Sequence, residues 1–263
     1  MLGVALSWGL SYPLSKIALS YISPFVLTFL RFSLGALFLL PFAKGVSAGK
    51  PQALSALLNN ALFVVILNFA LLYSSNPALT SVLIYTQPVF VMVLERAFFG
   101  KKTTKKQSLG VLLAFFGVAL SVGSASFDLG SFLAVLDGFL WSVGTLYHQK
   151  RLVNSNLLQL NAFMTLFSAL IVSPTLLLNH SFVLTRESLL LSLLVPLSAQ
   201  TLGFLFWFNA VNRLGAIRAS SLSLLVPISA YLLSFALLGK TPTKFEFVGS
   251  AITLIGVYLT QRG

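Results

Sequence analysis

The chain has 263 residues, of which 57% are hydrophobic and 8% charged, and its mean hydropathy is +0.94. An ordinary globular domain carries about 25% charged residues, so this composition excludes a soluble fold. The 17 Lys and Arg fall between apolar runs and do not form the basic surface of a nucleic-acid-binding protein. The chain has no Cys, and its 2 His are isolated. The lack of Cys excludes disulfides and thiolate metal sites, and with the isolated His it predicts no metal; no cofactor motif is visible. The scattered cations predict no nucleic-acid partner.

Ten apolar segments follow one another along the chain. A helix needs about 20 apolar residues to cross a bilayer core that is about 30 Å thick, and each segment approaches that length. We therefore predict an all-α integral membrane protein with ten transmembrane helices. The predicted spans are 2–20, 24–43, 53–74, 78–99, 107–124, 129–148, 157–178, 187–209, 216–238 and 245–261.

The second half of the chain repeats the first. Seven residues recur at one constant displacement, as Pro227 does after Pro88 (227 − 88 = 139). A duplicated half in so apolar a chain is typical of transporters built from two related bundles around a central site. We predict two five-helix repeats, residues 1–124 and 125–263. The recurring residues are Pro88, Gly100, Lys101, Thr104, Lys105, Gly110 and Gly117, which return as Pro227, Gly239, Lys240, Thr243, Lys244, Gly249 and Gly256.

The cations predict the orientation in the membrane. Cytoplasmic loops carry an excess of Lys and Arg, and a cytoplasmic N-terminus places eleven cations inside and four outside. Both termini are then cytoplasmic in a multi-pass protein of the plasma membrane. Because each half has five spans, the second repeat is inverted relative to the first. The inside cations are Lys44, Lys50, Lys101, Lys102, Lys105, Lys106, Lys150, Arg151, Arg213, Arg218 and Arg262, and the outside cations are Lys16, Arg186, Lys240 and Lys244.

The order of the motifs resembles the EamA branch of the drug/metabolite transporter superfamily over essentially the whole chain. The resemblance is carried by WGLSYPLSK, by SPFVLTFLRF, and by the segment that begins NPALTSVLIYTQPVF and its later counterpart GAIRASSLSLLVPIS. It implies that helices one, three, four, six, eight and nine surround a cavity while five and ten form an outer scaffold. Many relatives have Glu after the glycine that ends helix four or nine, where this chain has Lys101 and Lys240.

The repeated glycines and prolines have structural interpretations. Gly110 and Gly117 lie two helical turns apart, so they open one stripe to a neighbouring helix. Their partners in span ten do the same, and a homodimer through helices five and ten is left open. Pro88 and Pro227 lie near the middle of their spans, where proline bends a helix. They are candidate hinges.

Two charged residues lie deepest in the predicted spans. An ionised side chain at membrane depth costs at least about 2.5 to 3.5 kcal/mol and persists only for a reason. Arg31 keeps its charge at accessible pH, so it needs an acceptor: Asp137, a helix-end carbonyl, a lipid phosphate or an anionic substrate. Asp137 is a candidate for carrying a proton, with an internal hydrogen-bonding role as its alternative. Glu95 and Arg96 lie near the cytoplasmic end of span four and are interpreted as topological or gating groups.

Uncharged polar and aromatic residues at similar depth predict a substrate cavity. Trp8 and Trp141 stand near the front of the first helix of each half and are candidate repeat partners. A pocket lined this way suits a small ligand with an apolar part and a few hydrogen-bonding groups. Together with Arg31 and Asp137, the candidate substrate-binding residues are Trp8, Ser11, Tyr12, Asn68, Tyr85, Gln87, Trp141, Thr145, Gln200, Trp207 and Ser223.

The predicted function is a secondary transporter of small amphipathic metabolites. The family resemblance implies export or exchange of amino acids, other metabolites or drugs, and amino acids are the favoured class. A carrier of phosphorylated or other anionic metabolites would need two or more cavity cations, and Arg31 is the deep candidate. A multidrug exporter is a further alternative. An intramembrane enzyme would need a nucleophile with a base, or a metal constellation; no GxSxG, HExxH or paired aspartates occur, so we predict no catalytic residues.

Overall fold

The computed structural model describes residues 1–73, 82–100, 102–120, 128–239, 241 and 243–263. Within these ranges the chain is helical, and its β-structure is an isolated bridge between Ile22 and Phe182. Residues 78–81 of the fourth predicted span, residues 121–124 of the fifth, the repeat boundary at 124/125, and Lys101 and Lys240 lie outside the described residues. The helices are α1 (Leu2–Ala18), α2 (Pro24–Ala43), α3 (Lys50–Leu72), α4 (Gln87–Phe99), α5 (Lys105–Leu120), α6 (Leu129–Arg151), α7 (Leu157–Leu177), α8 (Arg186–Leu214), α9 (Ala216–Leu237) and α10 (Lys244–Arg262).

Six helices in the described ranges are long and apolar enough to cross a membrane: α2, α3, α6, α7, α8 and α9. The protein is therefore a multi-pass, all-helical membrane protein. Helices α1, α4 and α5 have 17, 13 and 16 residues, fewer than the roughly 20 that a full crossing needs. Ten membrane crossings remain a prediction.

The surface is apolar and much of the interior is polar. Phe98 and Phe247 expose 75% and 76% of their area, whereas Asn60, Gln87 and Gln200 are fully buried. Large exposed apolar surface is unfavourable in water but costs nothing against lipid. This distribution fits a bundle surrounded by a bilayer, with the polar groups turned toward a central site.

The repeated motif GKxxTK joins α4 to α5 and α9 to α10. Gly100 and Gly239 end their helices at φ 61° and 65°, in the left-handed region that glycine adopts without a Cβ penalty. Four residues later, Thr104 and Thr243 cap the next helix. Each caps reciprocally with the residue three positions on, Gln107 or Glu246, which satisfies two backbone N–H groups at the helix start. The glycine and the threonine of the motif therefore have the same roles in both halves, at the end of one helix and at the start of the next.

Helices α5 and α10 pack against each other through the repeated glycines. A Cβ on Gly110 would come within 2.6 Å of the Gly256 carbonyl oxygen, and one on Gly117 would come as close to that of Gly249. The residue order is reversed between the helices, so the packing is antiparallel. The prediction that these glycines serve close packing is confirmed. Because the stripes cover each other, a homodimer would have to use the opposite faces of these helices, and dimerisation stays a prediction.

Neither proline lies in the middle of a continuous helix. A 3₁₀ turn at Ile84–Thr86 precedes α4, and Pro88 occupies its first turn. In α9, a turn at Leu224 separates two segments, and Pro227 lies in the first turn of the second one. First-turn proline removes no intrahelical hydrogen bond. Each proline therefore follows a break at equivalent positions of the two halves, and the predicted hinge motion stays a prediction.

Helices α3 and α8 each contain a π-helical segment, Leu57–Ala61 and Pro196–Leu202. π-bulges are rare and occur often at functional sites. Each segment carries buried amide or hydroxyl groups, Asn59 and Asn60 in α3 and Gln200 and Thr201 in α8. The sequence contains no signal for a π turn beyond these adjacent polar residues in apolar runs, so neither π segment was predicted.

Candidate functional site

Three tryptophans from three helices meet at the centre of the bundle. The ring centroids of Trp8, Trp141 and Trp207 lie 5.7 Å (Trp8 to Trp141), 5.7 Å (Trp8 to Trp207) and 5.1 Å (Trp141 to Trp207) apart. These are the chain's 3 Trp residues. Further rings extend the group: Phe204 against Trp8 at 5.4 Å, Phe63 against Trp141 at 5.4 Å, and Tyr85 against Trp141 at 6.3 Å. We call these six residues the aromatic cluster.

The cluster joins the two halves of the chain. Trp8, Phe63 and Tyr85 come from the first half, and Trp141, Phe204 and Trp207 from the second. Ring pairs at such distances contribute about 0.5–1.5 kcal/mol each beyond area burial. The predicted convergence of Trp8, Tyr85, Trp141 and Trp207 therefore corresponds to a real contact group, whereas Phe63 was missed because a lone Phe in an apolar run carries no signal in the sequence.

The indole of Trp8 is fixed by α8. Its Nε1–H donates to the carbonyl oxygen of Ala199 at 2.9 Å, inside the π segment of α8. A π segment leaves some carbonyls without their usual i+4 donor, which makes this acceptor available. At Gly203 a Cβ would overlap the Trp8 ring, so the close approach requires glycine there.

Trp207 presents a different case. Its side chain is fully buried, yet its Nε1–H has no hydrogen-bond partner among the described residues. A buried donor without an acceptor costs about 1–3 kcal/mol. Such a group at the centre of an aromatic cluster suits a ligand that brings its own acceptor.

A line of polar groups leads from the cluster to the surface. The hydroxyl groups of Tyr85 and Tyr12 are hydrogen-bonded at 3.2 Å, and Tyr12 is 40% exposed. Arg31 interacts electrostatically with Tyr12, and its Nε is buried without a hydrogen-bond partner among the described residues. Arg31 thus lies within electrostatic range of Tyr12, and Tyr12 is hydrogen-bonded to Tyr85, whose ring contacts Trp141.

On another side of Trp141, Gln87 and Thr145 form a fully buried pair. Gln87 Nε2 donates to Thr145 Oγ1 at 3.2 Å, and Thr145 Oγ1 donates to the Trp141 carbonyl at 2.9 Å. These bonds orient the Gln87 amide. Gln87 Oε1 has no partner within the described ranges, so it remains an acceptor beside the cluster.

Asp137 and Arg31 do not pair. Asp137 is fully buried, and neither of its carboxyl oxygens accepts a hydrogen bond from a described residue. Asp137 lies one helical turn before Trp141. The next residue, Gly138, packs closely against the carbonyl of Ile84 and the hydroxyl of Thr86. Of the acceptors expected for Arg31, Asp137 is therefore not the one used in this structure.

Four other predicted residues lie outside the cluster's contacts. Ser11 and Ser223 donate within their own helices, to the carbonyls of Trp8 and Ser220, because a serine inside a helix readily bonds the preceding turn. Asn68 donates to Thr28 of α2 at 3.0 Å. Gln200 packs against Gly35 of α2, since the π segment rotates it away from the Trp8 face.

Two buried polar groups escaped prediction as site residues. His148 stacks on Phe208 at 4.2 Å and shares a 2.8 Å hydrogen bond with Asn212. Asn60 is fully buried, and its side-chain amide has no partner in the described part of the chain. The sequence signal for Asn60 is the pair of adjacent asparagines, Asn59 and Asn60, within an apolar run. In the described ranges, no group of three or more His, Asp and Glu could hold a metal ion.

The chain is similar over nearly its full length to proteins that are named as transporters or efflux pumps. A probable amino-acid metabolite efflux pump of Escherichia coli (strain K12) is 27% identical over 99% of this chain and 93% of its own length. The pump of the same name from Salmonella typhimurium (strain LT2) is equally similar over the same shares. An uncharacterized transporter of Archaeoglobus fulgidus is 27% identical over 97% of this chain and 93% of its own.

The fold also occurs among solved structures. One crystal structure superposes with a TM-score of 0.83 at 17% identity, covering 98% of this chain and 95% of that chain, which shows that the two share a fold. The model of the EamA-like transporter family matches residues 1–123 and again residues 128–262. The chain, with its paired helical halves and its shared aromatic cluster, belongs to the EamA-like transporter family.

Proposed function

We propose that this chain is a secondary transporter that exports or exchanges small amphipathic metabolites across the plasma membrane, with amino acids as the favoured class. The observation that carries the proposal is the aromatic cluster, in which Trp8 of the first half contacts Trp141 and Trp207 of the second. A site shared by both halves is what two rocking bundles would expose to each side in turn.

The proposed topology has ten spans in two inverted repeats, residues 1–124 and 125–263, with both termini in the cytoplasm. The antiparallel packing of α5 and α10 supports inversion, because helices at equivalent positions of the halves then run in opposite directions. The excess of cations in the predicted inside loops supports the orientation. Pro88 and Pro227, each after a helix break, are proposed as hinges.

The chemistry of the cluster favours amino acids with an apolar part. Its rings provide apolar contact, the Trp207 indole N–H is a donor for a carboxylate or carbonyl oxygen, and Arg31 offers a cation near Tyr12. Two relatives bear the name of amino-acid metabolite efflux pumps. Asp137 is proposed to take up and release a proton when transport is coupled; without coupling the protein would act as an exchanger.

The test is counterflow in liposomes. Purified protein is reconstituted with a preloaded pool of amino acids, and uptake of one labelled amino acid at a time is followed without an ion gradient. We expect saturable uptake of a subset, and at least about a tenfold loss of it in Trp141→Ala, which removes four ring contacts of the cluster.

Phe98→Ala is the matched control, because it removes an exposed ring from α4 and should leave exchange unchanged. If no amino acid exchanges in the wild-type protein, amino acids are rejected as substrates. The same assay with a pool of phosphorylated metabolites then tests the alternative, with Arg31→Gln as its diagnostic variant.

A further inference from the structure

A cavity of about 400 Å³ lies away from the aromatic cluster, between the C-terminal ends of α4 and α6. Its volume falls in the range of small-molecule sites, about 300–1,000 Å³. This end of the bundle carries Lys150, Arg151 and Arg213, so it is the one expected to face the cytoplasm. The cavity is lined by Glu95, Phe99, Leu146, Gln149 and Lys150.

Glu95 is the unusual residue of this cavity. It is 2% exposed and lies in the last turns of α4, where the helix dipole disfavours a negative charge. A carboxylate buried at this depth is retained only for a reason. The exposed acids of the chain, such as Glu187, meet no such constraint.

Gln149 orients the carboxylate. Its side-chain oxygen accepts the backbone N–H of Ala216 at 2.6 Å, and its amide nitrogen donates to Glu95 Oε1 at 3.4 Å. Because the Ala216 N–H can bond only the oxygen, the amide must turn its N–H groups toward Glu95. Gln149 thus links Glu95 to the N-terminus of α9, where partial positive charge favours an anion.

The other residues that line the cavity are cationic and apolar. Lys150 Nζ lies 4.5 Å from the centroid of the Phe99 ring, which holds the ammonium at the rim. Leu146 is 5% exposed and supplies an aliphatic surface. One cavity therefore combines a carboxylate, an ammonium and apolar walls.

We propose that this cavity is a loading subsite for a zwitterionic amino acid with an apolar side chain. The substrate ammonium binds Glu95, its carboxylate binds Lys150, and its side chain packs on Leu146 and Phe99. The subsite would receive substrate on the expected cytoplasmic side before it reaches the aromatic cluster. The proposal deepens the proposed function and rests on it for the direction of transport, but binding can be measured without transport.

The absence of cysteine from the chain allows a direct binding test. Phe99→Cys places one thiol in the cavity, and Arg151→Cys places one on the neighbouring exposed position as the matched control. The rate of maleimide labelling in detergent is measured with leucine, and with the desamino analogue of leucine that keeps the carboxylate and side chain. Leucine is expected to slow labelling of Phe99→Cys several-fold, while the analogue does not, and Arg151→Cys labels at one rate throughout.

The carboxylate is tested in the same background. Phe99→Cys combined with Glu95→Gln should lose protection by leucine, because the loss of a charged hydrogen bond weakens binding by about tenfold or more. Phe99→Cys combined with Glu187→Gln should keep the protection. The comparison of leucine with its analogue needs Phe99→Cys alone, so the test stands even if Glu95→Gln does not fold. Equal labelling with and without leucine, or equal protection by the analogue, would overturn the proposal. Protection in a protein that fails counterflow would support the subsite and reject the transport of that class.

Discussion

The indole nitrogen of Trp8 donates to the carbonyl oxygen of Ala199 at 2.9 Å, across 191 positions of sequence. Trp8 belongs to the first helix, and Ala199 lies in the π segment of α8. The bond therefore ties the two halves together beside the proposed substrate site. Its counterpart in the cluster, the Trp207 N–H, has no such acceptor within the described ranges, and the contrast separates a structural indole from one offered to a ligand.

Trp8→Phe should destabilise the folded protein. The ring contacts are largely kept, but the Ala199 carbonyl loses its donor in a buried environment, which costs about 1–3 kcal/mol. Thermal unfolding in detergent, followed by size-exclusion chromatography, should show a lower midpoint than wild type. An unchanged midpoint would show that another donor replaces the indole.

Trp207→Phe should keep stability and weaken transport. The substitution removes a buried donor that has no described partner, so the unfolding midpoint should equal or exceed that of wild type. If the indole donates to the substrate, the loss of one neutral hydrogen bond, about 0.5–1.5 kcal/mol, should raise the KM for exchange several-fold. Counterflow at several substrate concentrations measures the KM, and an unchanged KM with a lower midpoint would reverse the assignment.

Gly256→Leu should prevent close packing of α5 and α10. A Cβ at this position would overlap the backbone of Ala114, and overpacking costs about 1–3 kcal/mol or more. We expect a clear fall in the unfolding midpoint or in the yield of monodisperse protein. Ala251→Leu is the matched control, because Ala251 lies on the exposed side of the same helix; a similar loss in the control would contradict the packing explanation.

Thr145→Val should be more damaging than its size suggests. Valine has nearly the same volume as threonine, but it cannot accept a hydrogen bond from the Gln87 amide. A buried donor left without an acceptor lowers the free energy of unfolding by about 1–3 kcal/mol. Thr145→Ser keeps the hydroxyl and should retain more stability and exchange than the valine variant. Unfolding midpoints and counterflow rates of the two variants are compared, and equal behaviour would mean that the hydroxyl contributes nothing.

Arg31→Gln should weaken the transport of substrates that carry a carboxylate more than the binding of analogues that lack one. Arg31 lies within electrostatic range of Tyr12, and its Nε has no hydrogen-bond partner among the described residues, so a substrate carboxylate is the partner we expect. Exchange of a zwitterionic amino acid should fall about tenfold or more, as for a lost charged hydrogen bond, while inhibition by the corresponding amino-acid amide should change less. An equal loss for both compounds would assign Arg31 a structural role.

Composition and residue spacing are enough to predict the membrane class and the duplication. Repeated apolar runs of about 20 residues are typical of membrane-spanning helices. The helical, multi-pass character therefore follows from the composition and from the length of these runs. The repeated GKxxTK and the glycine spacing were interpretable because turn and close-packing requirements act on single residue types: Gly100 and Gly239 for positive φ, and Gly110 and Gly256 for close approach. The tryptophans could be proposed because large amphipathic rings at matching depths in different spans are uncommon.

Which of the candidate side chains contact each other depends on helix packing, which the spacing of residues along the chain does not reveal. Gln200 and Trp207 lie on the same helix, yet Gln200 faces α2 while Trp207 enters the aromatic cluster, because a π segment adds a residue to one turn and shifts the phase of everything before it. Whether Arg31 pairs with Asp137 depends on how α2 and α6 are rotated about their axes. Helix packing sets this rotation, and the spacing of residues in the sequence does not. A membrane span constrains the depth of a residue, whereas packing against the neighbouring helices sets its direction around the helix axis.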